Sequence, residues 1–203
     1  VWVGRDRVKA AQALLQAHPE CNVMISDDGL QHYKLQRDFE VAVIDGSRGL
    51  GDGWLLPAGP LREPRPRLKT VDAVVYNGGK PVLNAFSMQL EGRVFHNLLD
   101  PTKTAQTTVF AGKSIYAIVG MGNPARFFQQ LSDLGLKFMS QVFPDHHAFR
   151  LADLQNIKAD VILMTEKDAV KCVAFAEAHW WYLPVNAVVD EALVTRIINK
   201  IGN

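Results

Sequence analysis

The sequence predicts an α/β protein built on parallel sheets. Apolar, β-branched runs at residues 40–45 and 73–76 have the near-continuous character of strands that are buried on both faces of a sheet. Further along the chain, such runs alternate with amphipathic helical patterns, which indicates right-handed βαβ units. A chain of 203 residues that is 48% hydrophobic is long enough to form one large α/β domain or two modest ones.

The first part of the chain is predicted to contain short strands and one amphipathic helix at residues 6–18. The predicted strands are 1–4, 22–26, 40–45 and 73–76. Residues 46–64 are too rich in Gly and Pro for a regular element, and loops of this length are usually functional or disordered. Because the chain starts on an apparent strand end and has no initiator Met, we expect a fragment that lacks upstream strands.

A second α/β unit is predicted after a strand at 88–99 and a Thr-rich polar segment. Its elements are strand 114–119, helix 124–134, strand 138–143, helix 151–157, strand 160–164, helix 167–178, strand 180–183 and a closing helix 191–201. The expected domains are therefore 1–87 and 113–203, with 88–112 as a strand-like linker or hinge.

Charge and composition exclude several classes of protein. A formal net charge of +1 gives no attraction of the whole molecule to nucleic acid, so no such partner is expected. No apolar run approaches the ~20 residues that span a bilayer. The two cysteines form neither a metal pattern nor a disulfide framework, which fits a reducing cytoplasm. A basic cluster could suit phosphate or an anionic membrane surface, although composition alone favours a solvated loop. It consists of Arg62, Arg65, Arg67 and Lys69.

Two adjacent carboxylates, Asp27 and Asp28, follow the predicted strand 22–26. Open α/β sheets bind ligands at the carboxyl ends of their strands. Neighbouring aspartates repel each other unless a cation lies nearby, and Mg²⁺ with a nucleotide phosphate is the usual oxygen-ligated case. The alternative is a surface turn, because Asp-Asp-Gly is also ordinary turn sequence. The coincidence of strand, acids and following polar residues favours a functional site.

Three polar segments in the second half could carry chemistry, and each has a structural alternative. The glycine turn at 120–124 could hold an anion on its N–H groups, or only connect a strand to a helix. In 143–149, Asp145, His146 and His147 suit proton transfer or metal ligation; alternatively, Asp145 only caps the next helix and the histidines only fill a loop. At 165–171, Thr165 can cap a helix, and a lysine there could contact phosphate.

Five motifs occur in a fixed order along the chain. They are Ser26-Asp27-Asp28-Gly29-Leu30-Gln31-His32; Arg48-Gly49-Leu50-Gly51 with Leu56-Pro57-Ala58-Gly59-Pro60-Leu61-Arg62-Glu63-Pro64; Gly120-Met121-Gly122-Asn123-Pro124 with Phe127-Phe128; Phe143-Pro144-Asp145-His146-His147; and Thr165-Glu166-Lys167-Asp168-Ala169-Val170-Lys171. Together they closely resemble the tetraacyldisaccharide 4'-kinases of lipid A biosynthesis. The resemblance runs from the first residue nearly to the last, and the ordered set is specific where each motif alone is not.

The resemblance implies an enzyme that uses ATP and Mg²⁺ to phosphorylate the 4'-hydroxyl of a tetraacylated glucosamine disaccharide 1-phosphate, which gives lipid IVA. It implies a P-loop-kinase-like parallel-sheet domain, truncated in this chain, and a smaller C-terminal α/β domain, with the active site in the cleft between them. It also implies a location on the cytoplasmic face of the bacterial inner membrane, whose surface is then a partner.

The resemblance also implies site residues, through the motifs that match. Asp27 and Asp28 match the acidic pair at a Walker B-like strand end, where the carboxylates manage Mg²⁺ and phosphates, with Asp28 a metal ligand. Arg62 and Glu63 match a pair in the proline-rich loop, Arg62 for phosphate charge and Glu63 for metal or nucleotide contact. His146 matches the histidine that helps deprotonate the sugar hydroxyl, with an aspartate from upstream sequence. The other expected nucleotide or substrate contacts are Gln31, His32 and Asn123.

The family's phosphate loop, G-x-x-x-x-G-K-[ST], does not occur in this sequence, nor do its N-terminal membrane helix and upstream aspartate. Since that loop supplies much of the positioning and charge neutralisation in phosphoryl transfer, we expect this chain alone to be a soluble, inactive part of the enzyme. Two other functions stay open. One is a stand-alone nucleotide- or anion-binding module, and the other is a metal-dependent phosphoesterase. The phosphoesterase would use Asp27, Asp28, Asp145, His146 and His147.

Overall fold

The computed structural model describes residues 1–82 and 84–202, which fall into two units. Unit 1 consists of Val1–Gln89 and the C-terminal segment that begins at Val188, and unit 2 is Leu90–Ala187. None of the helices in this described part of the chain combines the length and the apolar character needed to cross a membrane.

The helices and strands follow one another along the chain. They are α1 (Arg7–Ala17), β1 (Val41–Asp45), β2 (Ala73–Asn77), β3 (Phe86–Glu91), β4 (Phe95–Asn97), β5 (Thr104–Ala105), β6 (Ile115–Val119), α2 (Pro124–Asp133), β7 (Met139–Val142), α3 (Leu151–Leu154), β8 (Val161–Thr165), α4 (Glu166–Cys172), β9 (Trp180–Leu183), β10 (Asn186–Val189) and α5 (Glu191–Ile201). Short 3₁₀ turns lie at Arg65–Lys69, Thr107–Phe110 and Val173–Phe175. The predicted α/β class is confirmed.

Unit 1 contains a four-stranded sheet with the order β1-β2-β3-β10, in which β1, β2 and β3 are parallel neighbours. Leu193 of α5 is buried against Ala73 and Val75 of β2. The Asp190 carboxylate, just before α5, accepts a hydrogen bond of 2.7 Å from the Ser87 N–H of β3. The predicted domain 113–203 differs from unit 2 at both ends. Residues 90–112, predicted as part of a linker or hinge, belong to unit 2 and supply β4 and β5 of its sheet, whereas α5 covers the sheet of unit 1.

The predicted strand at 22–26 is wrong. This segment has no regular structure, and its side chains lie open to solvent, with Ile25 94% exposed. Residues 1–4 are not a strand either. A strand needs a neighbour for its backbone hydrogen bonds, and no strand within the described residues pairs with either segment. The predicted helix is present as α1, where the Asp6 carboxylate caps the N–H groups of Val8 and Lys9.

Unit 2 contains a six-stranded sheet with the order β5-β4-β9-β8-β6-β7. Strands β9, β8, β6 and β7 are parallel, whereas β4 is antiparallel to β9 and to β5. All five residues of the central strand β8 are buried. Phe127 and Leu131 of α2 pack with one face of the sheet, and Ala169 and Cys172 of α4 pack with the other. Because both faces are covered, the central strands are continuously apolar in sequence.

Three predicted elements of this region have different bounds in the structure. The predicted strand 88–99 is two strands, β3 and β4, and a Cβ on the intervening Gly92 would lie 2.2 Å from the Pro184 carbonyl oxygen. The predicted helix 167–178 ends at Cys172 and continues as a 3₁₀ turn, and the predicted helix 151–157 is the single turn α3.

Candidate active site

Asp27 and Asp28 lie in an exposed turn of unit 1 instead of at a strand end, so the turn alternative is the one that the structure adopts. Asp28 has a φ of 50°, in the left-handed region that aspartate tolerates better than most residues. The following residues continue as turns. The His32 N–H donates to the Gly29 carbonyl at 3.0 Å, and the His32 residue is half-buried.

Arg62 joins this turn to the proline-rich loop. Its Nη1 lies 2.8 and 2.6 Å from the two carboxylate oxygens of Asp28. The Arg62 side chain is 57% exposed and that of Asp28 66% exposed. The hydrogen bond and the charge of Asp28 raise the pKa of Arg62 above its usual value. The two side chains are therefore hydrogen-bonded to each other yet open to a ligand from solvent.

Glu63 lies beside this pair and is held by two hydrogen-bond donors and one ion pair. Its Oε1 accepts a hydrogen bond of 2.9 Å from Gln31 Nε2, and its Oε2 accepts one from the Tyr33 hydroxyl and lies 3.3 Å from Arg67 Nε. The Tyr33 hydroxyl is the main reason that the pKa of Glu63 lies below its ordinary value, against the opposing effect of burial. A metal ion that bound Glu63 would have to displace or share these donors.

A second layer of ion pairs, formed by Arg67, Glu40 and Arg37, lies next to Glu63. The Arg67 Nη2 lies 2.7 Å from a Glu40 oxygen, and Arg37 Nε lies 2.9 Å from the same carboxylate. Arg67 and Glu40 are 17% and 12% exposed, and the hydrogen bonds that Arg67 donates to Glu40 raise the pKa of Arg67. Of the predicted basic cluster, Arg62 and Arg67 are thus already paired with carboxylates.

The sequence did not indicate this second layer. Arg67 and Glu40 are 27 residues apart, and no local pattern links them. The ring of Tyr33 lies 5.9 Å from the guanidinium carbons of both Arg37 and Arg67, which a charge count of the loop cannot reveal. An open cavity of about 820 Å³ borders the network, lined among others by Tyr33, Arg37, Glu40 and Arg67.

No group of three or more His, Cys, Asp or Glu side chains comes together as a metal-ligand set within residues 1–82 and 84–202. The phosphoesterase alternative needs such a set, because several ligands must converge on one or two ions. Asp27 and Asp28 offer adjacent exposed carboxylates. This donor set fits Mg²⁺, which usually takes one or two carboxylates and completes its shell with phosphate oxygens and water.

In unit 2, the two histidines of the loop Phe143–Phe149, here called the histidine loop, have different surroundings. His146 has a φ of 59° and a side chain that is 77% exposed, with its Nε2 3.8 Å from Asp145. His147 is 26% exposed, stacks on Phe143 at 4.8 Å between ring centroids, and lies 3.0 Å from an Asp153 oxygen through its Nε2. His147 therefore anchors the loop, while His146 projects from it.

Lys167 and the glycine turn before α2 both lie close to Asp145 of this loop. Lys167 at the start of α4 lies 3.8 Å from an Asp145 oxygen. Asn123 occupies the N-cap position of α2, directly after the glycine turn at 120–122. The structure thus brings Asp28, Arg62, Gln31 and Glu63 together in unit 1, whereas His146 and Asn123 belong to unit 2.

Comparisons with known proteins agree with each other. A family model described as tetraacyldisaccharide-1-P 4'-kinase matches residues 1–202. Tetraacyldisaccharide 4'-kinases from Methylobacillus flagellatus and Azoarcus sp. are 50% and 48% identical over 99% of this chain. The chain spans about 60% of the length of these relatives.

One solved structure has the same fold. It is the crystal structure of the "apo" form of LpxK from Aquifex aeolicus in complex with ATP, with a TM-score of 0.75 and 25% sequence identity. The match covers 98% of this chain and 64% of the Aquifex chain. It confirms the fold class that the resemblance of the motifs implied.

Proposed function

We propose that this chain, which belongs to the tetraacyldisaccharide-1-P 4'-kinase family, forms part of a lipid kinase. The proposed enzyme transfers a phosphoryl group from ATP to the 4'-hydroxyl of a tetraacylated glucosamine disaccharide 1-phosphate, which gives lipid IVA. The relatives named above are tetraacyldisaccharide 4'-kinases, and the Aquifex structure is a complex with ATP, which supports both the substrate class and the donor. The proposal concerns the longer protein.

The observation that carries the proposal is that Arg62 binds side chains of another sequence motif. Asp28 and Gln31 come from the first motif, Arg62 and Glu63 from the second, and hydrogen bonds link the four side chains. An exposed guanidinium beside a carboxylate provides a cation for phosphate oxygens next to an oxygen donor for a metal ion. Phosphoryl transfer depends mainly on such positioning and charge neutralisation.

In the proposed reaction the 4'-oxygen attacks the γ-phosphorus of ATP. The bond between that phosphorus and the bridging oxygen breaks, and ADP leaves with the electron pair. The hydroxyl proton passes to His146, whose ring is exposed on its loop and whose residue type exchanges protons near neutral pH. Arg62 binds phosphate oxygens and offsets the charge that develops on them.

Asp27 and Asp28 would hold Mg²⁺, which when bound neutralises charge on the β- and γ-phosphates. Glu63 suits direct ligation less well, because its side chain is only 15% exposed, whereas that of Asp28 is 66% exposed. We assign Glu63 instead to holding Gln31 and Arg67 in place. The remaining proposed nucleotide or substrate contacts are Gln31, His32 and Asn123. An acylated substrate places the reaction at a membrane surface, for which we propose the cytoplasmic face of the inner membrane.

The test is a transfer assay with the full-length protein, γ-labelled ATP and the tetraacylated disaccharide 1-phosphate. We expect label in a product that carries one additional phosphate, located at the 4'-oxygen by NMR. A substrate analogue without the 4'-hydroxyl serves as the control and should accept no label. Release of inorganic phosphate from the disaccharide without ATP would support the phosphoesterase instead.

A further inference from the structure

Asp168 is a fully buried carboxylate for which the proposed reaction has no direct use. Its Oδ2 accepts hydrogen bonds of 2.9 Å from the Gly120 N–H and from the Thr165 hydroxyl. Its Oδ1 lies 2.8 Å from the ammonium of Lys171. A buried carboxylate is costly unless donors and a counter-charge surround it, and here it has both. Asp168 thus ties the start of α4 to the residue that follows β6.

Gly120, the residue held by Asp168, is in close contact with the histidine loop. A Cβ at this position would lie 3.1 Å from the ring of Phe149 and 3.3 Å from Asp168. The ammonium of Lys171 lies 5.5 Å from the centroid of the same ring, within the range of a cation–π contact. Phe149 is therefore enclosed by the group formed of Gly120, Asp168 and Lys171.

Phe149 belongs to a cluster of three rings that closes the histidine loop. The rings of Phe143, His147 and Phe149 lie 4.8 to 5.0 Å from one another between centroids. The Phe143 N–H also donates to the Val119 carbonyl at 2.7 Å. His146 lies between these anchored residues in a left-handed conformation that directs the backbone through a tight turn. The position of its ring therefore depends on the residues on either side.

We propose that Asp168 is a positioning residue for the phosphoryl transfer, which acts by holding Gly120, and through Phe149 the loop that presents His146. This inference rests on the proposed function, in which His146 accepts the proton. A displacement of about 1 Å at a reacting group can cost about 10²-fold in rate. Loosening the loop should therefore lower kcat and leave the affinity for ATP largely unchanged.

The chain offers a matched control for this proposal. Asp160 accepts hydrogen bonds of 2.8 and 2.7 Å from the N–H and hydroxyl of Ser114, which precedes β6. Asp160 itself precedes β8. It links the same two strands as Asp168 does, at their amino ends instead of their carboxyl ends. Loss of Asp160 weakens the sheet without touching the histidine loop.

The experiment compares Asp168→Asn, Phe149→Leu, Asp160→Asn and His146→Ala in the full-length enzyme. The readouts are kcat, KM for ATP and the hydrogen-exchange rates of the amides at 143–149. Asp168→Asn and Phe149→Leu should each lower kcat about 10²-fold with little change in KM, and should accelerate exchange in the loop about tenfold or more. Asp160→Asn should do neither. If Asp168→Asn fails to fold, Phe149→Leu decides, because it introduces no unpaired charge.

The proposal is overturned if loop exchange in Asp168→Asn equals that of the parent, or if Asp160→Asn reproduces both effects. It is also overturned if the loop loosens while kcat stays at the parent value and His146→Ala is inactive. Parent-like turnover in His146→Ala would instead remove the proton-transfer role from the proposed function. The exchange rates would still decide whether Asp168 positions the loop, so the two failures are distinguishable.

Discussion

Arg62 binds both carboxylate oxygens of Asp28 from a position 34 residues further along the chain. Both side chains are more than half exposed, so solvent and salt screen their attraction, and an ion pair of this kind adds little to stability. The pair is better suited to binding charged ligands than to holding the fold. Substitutions here should separate activity from stability.

We expect Asp28→Ala in the full-length enzyme to lower turnover by about 10²-fold or more, because it removes a carboxylate that is proposed to hold the Mg²⁺ beside the phosphates. The melting temperature should change little. Turnover at several Mg²⁺ concentrations and thermal unfolding measure the two effects. Asp38→Ala, which removes another exposed aspartate ten residues away, is the control and should leave turnover intact. Near-normal activity of Asp28→Ala with an unchanged Mg²⁺ requirement would refute the assignment.

The two adjacent histidines should respond in opposite ways to removal. We expect His146→Ala to lower kcat by roughly 10²- to 10⁴-fold with little effect on stability, because the ring is exposed and is proposed to move a proton. His147→Ala should mainly lower the melting temperature, since it removes the stacking on Phe143 and the contact with Asp153. Equal losses of turnover in both variants, with loss of bound metal, would favour the phosphoesterase.

Asp160 predicts an acid-sensitive contribution to stability. The hydroxyl and N–H of Ser114 lower the pKa of Asp160 below its ordinary value of 3.8. A carboxylate whose pKa is depressed by folding stabilises the folded state fully above the unfolded pKa, and this contribution is lost as pH falls through the folded pKa. The difference in unfolding free energy between the parent and Asp160→Asn should therefore be constant near neutral pH and shrink below about pH 4.

Urea unfolding at a series of pH values measures that difference. Ser114→Ala removes one of the two donors, so it should reduce the acid sensitivity that Asp160 confers while keeping the backbone hydrogen bond. The same difference at acid and neutral pH would show that the carboxylate has no special stability in the folded state.

The two cysteines should differ in reactivity. Burial, with a smaller effect of the Asp168 charge, raises the pKa of the Cys172 thiol to about 12. Since the thiolate is the reactive form, Cys172 should resist iodoacetamide in the folded protein at about pH 8. Cys21 is only partly buried and should react first. Mass spectrometry of the peptides measures both rates, and urea should expose Cys172. Rapid modification of Cys172 in the folded chain would contradict its burial.

The elements that the sequence predicts best are those whose own residue pattern shows which of their faces are buried. The strand at β8 is apolar throughout and is buried throughout, and α5 shows its helical period clearly. The strand predicted at 22–26 has the same apolar character, yet Ile25 is exposed. Apolar character alone shows that a segment suits a sheet. It does not show that a neighbouring strand is present to pair with it.

The predicted site residues lie in sequence motifs, whereas the residues that bind them do not. Asp28 and Arg62 each belong to a contiguous pattern, but Glu40 precedes a strand and gives no signal that it binds Arg67. The residues around Asp168 form the sequence of an ordinary helix start, with Thr165 as the cap. Only the fold shows that its carboxylate faces Gly120, 48 residues away. Long-range pairing of this kind depends on topology, which local sequence does not encode.

Unit 1 is assembled from two separated stretches of chain, with Leu193 of α5 covering Ala73 and Val75 of β2. In the order of synthesis, every strand of the sheet in unit 2 therefore precedes the helix that covers the sheet of unit 1. Domains generally fold as they are synthesised, and exposed apolar surface attracts chaperones and proteases. We expect a premature stop codon just before α5 to leave the apolar side chains of β2 uncovered and so to make the shortened chain a target for degradation.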